Sequence, residues 1–193
     1  MKNAFTRPFE TIQERKLFGI GIAILLVAST VAYFTNARFD GVLDVHFTST
    51  IKWYQPFIDN CINTLCLAIL LFLLSRFLPT KARFIDILNV ALICRIPLYF
   101  APLTNIGNIN QETSEFLIDN ISNSSALSEL PVFNIAVLVL GGLVALLALV
   151  LMGFLLYRGY KNATNSKQVS HHVLLLVVVI LAEMTSKLLV YLY

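Results

Sequence analysis

Asp59, Asn60, Asn63, Arg95, Glu183 and Lys187 interrupt runs that are otherwise apolar enough for lipid. These residue types admit three kinds of behaviour. Opposite charges can neutralise one another as a clamp between helices. A carboxylate can relay protons or hold an ion. A long basic side chain can snorkel toward the headgroups. An ionisable residue inside a membrane is a functional candidate by default, because an unpaired charge at the bilayer centre costs about 2.5–3.5 kcal/mol on insertion scales. Glu183 and Lys187 stand four apart and so share one side of a helix. Arg95 lies inside "NVALICRIPLYF", two residues before Pro97 and seven before Pro102.

The elements that must carry these residues follow from composition. The chain has 193 residues, of which 58% are hydrophobic and 13% charged. Soluble domains are nearer 45–50% apolar and about 25% charged. One integral membrane domain over residues 1–193 is the natural reading. A span needs about 20 apolar residues, and lipid-exposed backbone is satisfied only in helices or closed barrels. Five stretches qualify as helices: about 17–35, 56–78, 84–103, 132–157 and 171–193. The expected fold class is an all-α, five-helix transmembrane bundle. Residues 1–16 read as an interfacial segment, with Phe5, Phe9 and Ile12 at helical spacing and Pro8 suited to a first turn. That segment is either a membrane-surface strut or a docking site.

Basic residues alternate between the connections. Lys2, Arg7, Arg15, Lys16, Arg76, Lys81, Arg83, Arg158, Lys161 and Lys167 would lie on one side, Arg38 and Lys52 on the other. The positive-inside rule then places the N-terminus in the cytoplasm and the C-terminus outside. With this orientation and about 1.5 Å of rise per residue, Arg95, Glu183 and Lys187 fall roughly 12, 15 and 9 Å below the outer helix ends. Asn63 shares that layer, and Asp59 lies just above it. The two acids and two bases cancel, so the expectation is that Arg95 pairs with Glu183 or Asp59 and pins the third helix to the fifth or second. Pro97 also deprives the Ile93 carbonyl of its helical donor, which predicts a kink.

Other features point to packing. Gly141, Ala145 and Ala148 form a small-residue face on the fourth helix. That face serves packing within the chain or a homodimer. The connection "RFDGVLDVHF" carries a turn signal at Asp40–Gly41 and reads as a structured loop on the membrane surface. Its Asp40, Asp44 and His46 are loose as metal ligands, since a zinc site takes three or four at defined geometry. The acidic third connection is expected to hold a short helix around "SEFLIDNI". Cys61, Cys66 and Cys94 sit in apolar runs and read as packing residues. No GxSxG, HExxH, P-loop or GxGxxG pattern occurs, so no enzyme, catalytic residue, metal or cofactor is expected. No basic stripe or reader motif suggests nucleic acid.

The short N-terminal segment with "RPFETI", the five apolar helices and an end flush with the last helix resemble the Yip domain family of Ypt/Rab-interacting proteins. The DLYGP-type motif and long cytosolic N-terminus of eukaryotic members are absent. The resemblance therefore implies a prokaryotic-type member in a bacterial inner membrane. It implies no activity, and no family functional residue maps onto this sequence. Two functions remain open at this level. One is a non-enzymatic scaffold or accessory subunit, with the bilayer and a membrane protein or a second copy as partners. The other is a small transporter or channel component that uses the charged layer.

Overall fold

The computed structural model describes residues 8–77, 82–123, 125, 129–165 and 169–193, which are predominantly helical. Helix α1, Pro8–Thr11, leads into α2, Glu14–Phe34. Strands β1 (Ala37–Arg38) and β2 (His46–Phe47) pair antiparallel, with Ala37 opposite Phe47 and Arg38 opposite His46. Then follow α3, Gln55–Phe77, and α4, Phe84–Cys94. A 3-10 segment runs over Ile96–Asn108 and hands the chain to α5, Ile109–Asp119. The last helices are α6, Val132–Thr164, and α7, Val169–Val190. Among the described residues, five segments are long and apolar enough to cross a membrane: Glu14–Phe34, Gln55–Phe77, Phe84–Asp119, Val132–Thr164 and Val173–Val190. The chain is thus an all-α, multi-pass bundle.

The third span departs most from the sequence reading. Helix α4 stops at Cys94, only 11 residues from its start, and Arg95 is its C-cap. At 1.5 Å per residue that length covers about 16 Å, half of a 30 Å hydrocarbon core. The cause is local. Pro97 has no N–H to give the Ile93 carbonyl. The chain instead tightens to 3-10 geometry, with the Leu98 N–H donating to the Arg95 carbonyl at 3.0 Å. Non-helical backbone at Asn105, Ile106 and Gly107 then turns it into α5. That turn is tied down from within: Asn105, fully buried, donates to the Thr35 carbonyl at 2.8 Å and accepts from the Gln111 N–H at 2.9 Å.

This broken span is the centre of the bundle. Of the residues in its 18-residue apolar window 61% are buried, against 11% in that of α6. Helices α2, α3 and α6 pack around it, and α7 lies along α3. The main core joins Leu67 and Leu71 of α3, Ile87 and Val90 of α4, Met152 of α6 and Ala182 of α7. Val42, from the hairpin, belongs to the same core.

The remaining boundaries differ modestly. Helix α6 runs seven residues past the expected end at 157. About 50 Å long at 1.5 Å per residue, it outreaches the hydrocarbon core. The expected N-terminal segment is split by non-helical Ile12 and Gln13, and Phe9 packs against Gly159 of α6. Phe5, Lys2, Arg7, Lys81 and Lys167 lie outside the described residues. Helix α5 begins five residues before the expected "SEFLIDNI". It buries Asn110, Gln111 and Thr113 and leaves Ile118 exposed. Its polar face turns inward, the reverse of a helix on a soluble core.

Candidate functional site

The hairpin between β1 and β2 enters the bundle. Phe39 and Val42 are fully buried. The expected surface loop is therefore an inserted plug. A buried loop carries backbone N–H and C=O groups that no helix or sheet satisfies, and each must find a partner. The polar residues of the helices supply them.

The pairing runs in order along the hairpin. Arg38 donates from Nε and Nη2 to the two oxygens of Asp59, at 3.1 and 2.8 Å. Asn63 Nδ2 donates to the Phe39 carbonyl at 2.6 Å. Arg95 Nε donates to the Val42 carbonyl at 3.4 Å. The Val42 N–H donates to Ser186 Oγ at 3.2 Å, and the Leu43 N–H to Glu183 Oε2 at 2.7 Å. Lys187 Nζ lies 2.6 Å from Asp44 Oδ2 and 3.4 Å from Glu183 Oε1. Asp59, Asn63, Arg95, Glu183 and Lys187 thus each hold a residue between Arg38 and Asp44.

This arrangement corrects the expected clamp between helices. Arg95 pairs with neither Glu183 nor Asp59. Asp59 is taken by Arg38 and by the Tyr193 hydroxyl, which donates to the same Oδ1. Glu183 is taken by the Leu43 N–H and Lys187. The physical reason is the inserted loop, which brings both its own charges and its backbone into the layer.

Arg95 has an unusual setting. It is 0% exposed, and among the described residues no carboxylate lies within ion-pair distance of it. Its Nη1 donates to Thr64 Oγ1 at 3.1 Å and to the Asn60 carbonyl at 3.4 Å. The 3.4 Å contacts are long for hydrogen bonds. Two aromatic faces add to them: Cζ lies 5.8 Å from the Phe39 ring centre and 5.5 Å from that of Tyr99. Cation–π contacts reach about 2 kcal/mol when desolvated. The C-terminal end of α4, where unpaired carbonyls concentrate negative partial charge, also suits a cation. Arg95 Nη2, Asn60 Oδ1 and Asn63 Oδ1 are buried without a hydrogen-bond partner among the described residues.

Outside the spans the electrostatics follow the same contacts. The hydrogen bond to Asp59 raises Arg38 above the usual guanidinium range. Burial, with the contact to Asp59, holds the Tyr193 hydroxyl above the phenol range. His46 touches Asp40 across the hairpin mouth, and that hydrogen bond lifts its imidazole above 6.5. At the opposite, basic end, Arg83 is raised by hydrogen bonds to Asp86 and Glu14. No group of three His, Cys, Asp or Glu gathers as a metal site among the described residues.

The small-residue face turns toward the broken span. A Cβ on Gly141 would lie 2.7 Å from Asn110 Nδ2. Ala148 is buried, and half-buried Ala145 lines a cavity of about 450 Å³ between α6, the hairpin and the 3-10 segment. Sequence reasoning missed Arg38, Phe39, Val42, Thr64 and Ser186. A usable signal was present: charged and apolar residues are interleaved through "RFDGVLDV", a pattern that a surface loop does not need. Protein-family models, curated proteins and solved structures contain no match to this chain.

Proposed function

We propose that this chain is a non-enzymatic membrane protein of the Yip-like type that serves as a scaffold or accessory subunit of a membrane complex. Its basic end faces the cytoplasm, and the bacterial inner membrane is the setting the resemblance implies. One observation carries this reading. Asp59, Arg95, Glu183 and Lys187, the ionisable residues of the layer, are engaged in fixing the hairpin, not arranged along a path. A side chain that holds loop backbone is poor at changing protonation, because each change would release the loop. Helix α6 supplies the docking face, since Leu143, Leu146 and Val150 are all more than half exposed.

The transporter reading keeps one specific support, the buried Arg95 with unfilled polar capacity beside Asn60 and Asn63. Extraction of the native complex in polymer-bounded bilayer discs, with its mass measured, separates the two. A scaffold travels with a stoichiometric partner or second copy, loses it with Leu146→Trp plus Val150→Trp, and keeps it with Glu183→Gln. A transporter in proteoliposomes carries ion or proton flux that Glu183→Gln or Lys187→Met abolishes.

A further inference from the structure

The break in the third span leaves a groove on the side of the bundle. Its walls are α2, from Leu17 to Ile24, and α6, from Phe154 to Val144. Its floor includes Pro97 and Phe100 of the 3-10 segment. It encloses about 650 Å³, and its lining is almost wholly apolar. It opens sideways, since Phe100 is 57% exposed and Leu147, on its rim, 59%.

The length of the groove matches one leaflet. From Phe154 to Val144 the α6 wall spans about 15 Å at 1.5 Å per residue, half of a 30 Å hydrocarbon core. One end, at Val144, falls near the middle of the apolar stretch of α6. The other reaches the basic end of α2 and α6. There the Arg158 guanidinium sits 4.7 Å over the ring of Phe154, itself a wall residue. Arg15 and Lys16, both exposed, immediately precede Leu17. The groove thus combines an apolar slot one leaflet deep with cations at its headgroup end.

We propose that this groove binds an anionic glycerophospholipid, with one acyl chain along Pro97 and Phe100 and the phosphate held by Lys16 and Arg158. Basic side chains at the headgroup level of a groove between spans select anionic lipid over zwitterionic lipid of the same chain length. An apolar slot alone would not discriminate between them.

The test is native mass spectrometry of the full chain in detergent, titrated with phosphatidylglycerol or phosphatidylcholine of identical chains. The parent is expected to retain phosphatidylglycerol over phosphatidylcholine by about tenfold. Lys16→Ala with Arg158→Ala should bring that ratio near one. Arg76→Ala, at the same basic end but on α3, should leave it unchanged. Leu147→Trp, filling the slot from an exposed position, should lower retention of both lipids. Equal retention of the two lipids by the parent overturns the proposal. So does a preference that survives Lys16→Ala/Arg158→Ala, or one that Arg76→Ala removes equally, which would mean diffuse attraction to a basic surface.

Discussion

Gly41 lies so close to Glu183 that a Cβ on it would collide with both carboxylate oxygens. The carboxylate sits there to accept the Leu43 N–H, so a side chain at position 41 would have to displace it. Gly41→Ala should push Glu183 off that bond and destabilise the protein by about 1–3 kcal/mol, the range for stranding a buried polar group. Thermal unfolding in detergent measures it. On a Glu183→Ala background, Gly41→Ala should cost much less, because the obstructing group is gone.

Exchanging Arg95 and Glu183 should not rescue either single variant. Arg95 serves a carbonyl, that of Val42, whereas Glu183 serves an N–H, that of Leu43. Arg95→Glu would set a carboxylate against carbonyl oxygens, and Glu183→Arg would set a guanidinium against an amide donor. Folded yield of the exchanged protein should fall below that of both Arg95→Leu and Glu183→Leu. Recovery to the parent level would restore the simple pairing of the third and fifth spans.

The layer itself was legible in the sequence, while its partners were not. Hydropathy and rise per residue suffice to put Asn63, Arg95, Glu183 and Lys187 at similar depth. Pro97 announces a departure from α-helix near Arg95. Rotation about each helix axis is a different matter, because it depends on what the helices enclose. The enclosed object is the hairpin, and its burial rests on Phe39 and Val42, two ordinary apolar residues in a connection that also carries Arg38, Asp40, Asp44 and His46. Lengths of the outer spans follow from composition. The extension of α6 to Thr164 does not, because its last turns carry Arg158 and Lys161 and lie beyond the apolar stretch.

Two adjacent glycines on α6 should behave oppositely. A Cβ on Gly141 would crowd Asn110 Nδ2, which donates to the Thr104 carbonyl at 2.8 Å. Gly141→Ala should therefore cost about 1–2 kcal/mol, the worth of a disturbed buried hydrogen bond. Gly142 has nothing within 4 Å of the same position. Gly142→Ala should be neutral or stabilising by up to about 1 kcal/mol, as for glycine in a helix interior. Parallel melting curves of the two variants decide the matter.

The hairpin mouth should loosen as pH rises. His46 is lifted above 6.5 by Asp40, so its contribution is complete below the unfolded value of about 6.5. It is lost as pH climbs through the raised value in the folded protein. The effect is small, under about 1 kcal/mol, because the imidazole is 45% exposed. Imidazole NMR titration should show the raised midpoint in the parent and a return toward 6.5 in Asp40→Asn. An unshifted midpoint in the parent would remove the contact from the account.

The most direct test is amide hydrogen exchange across residues 41–44 in the parent and in Glu183→Ala, in the same detergent. Seating of the hairpin by the polar layer predicts slow exchange at Val42 and Leu43 in the parent, and exchange at least about tenfold faster in the variant, equivalent to ~1.4 kcal/mol of opening free energy. Amides within α3 and α7 should remain protected in both. Unchanged exchange at Val42 and Leu43 would contradict the account, since the hairpin would then be held without Glu183.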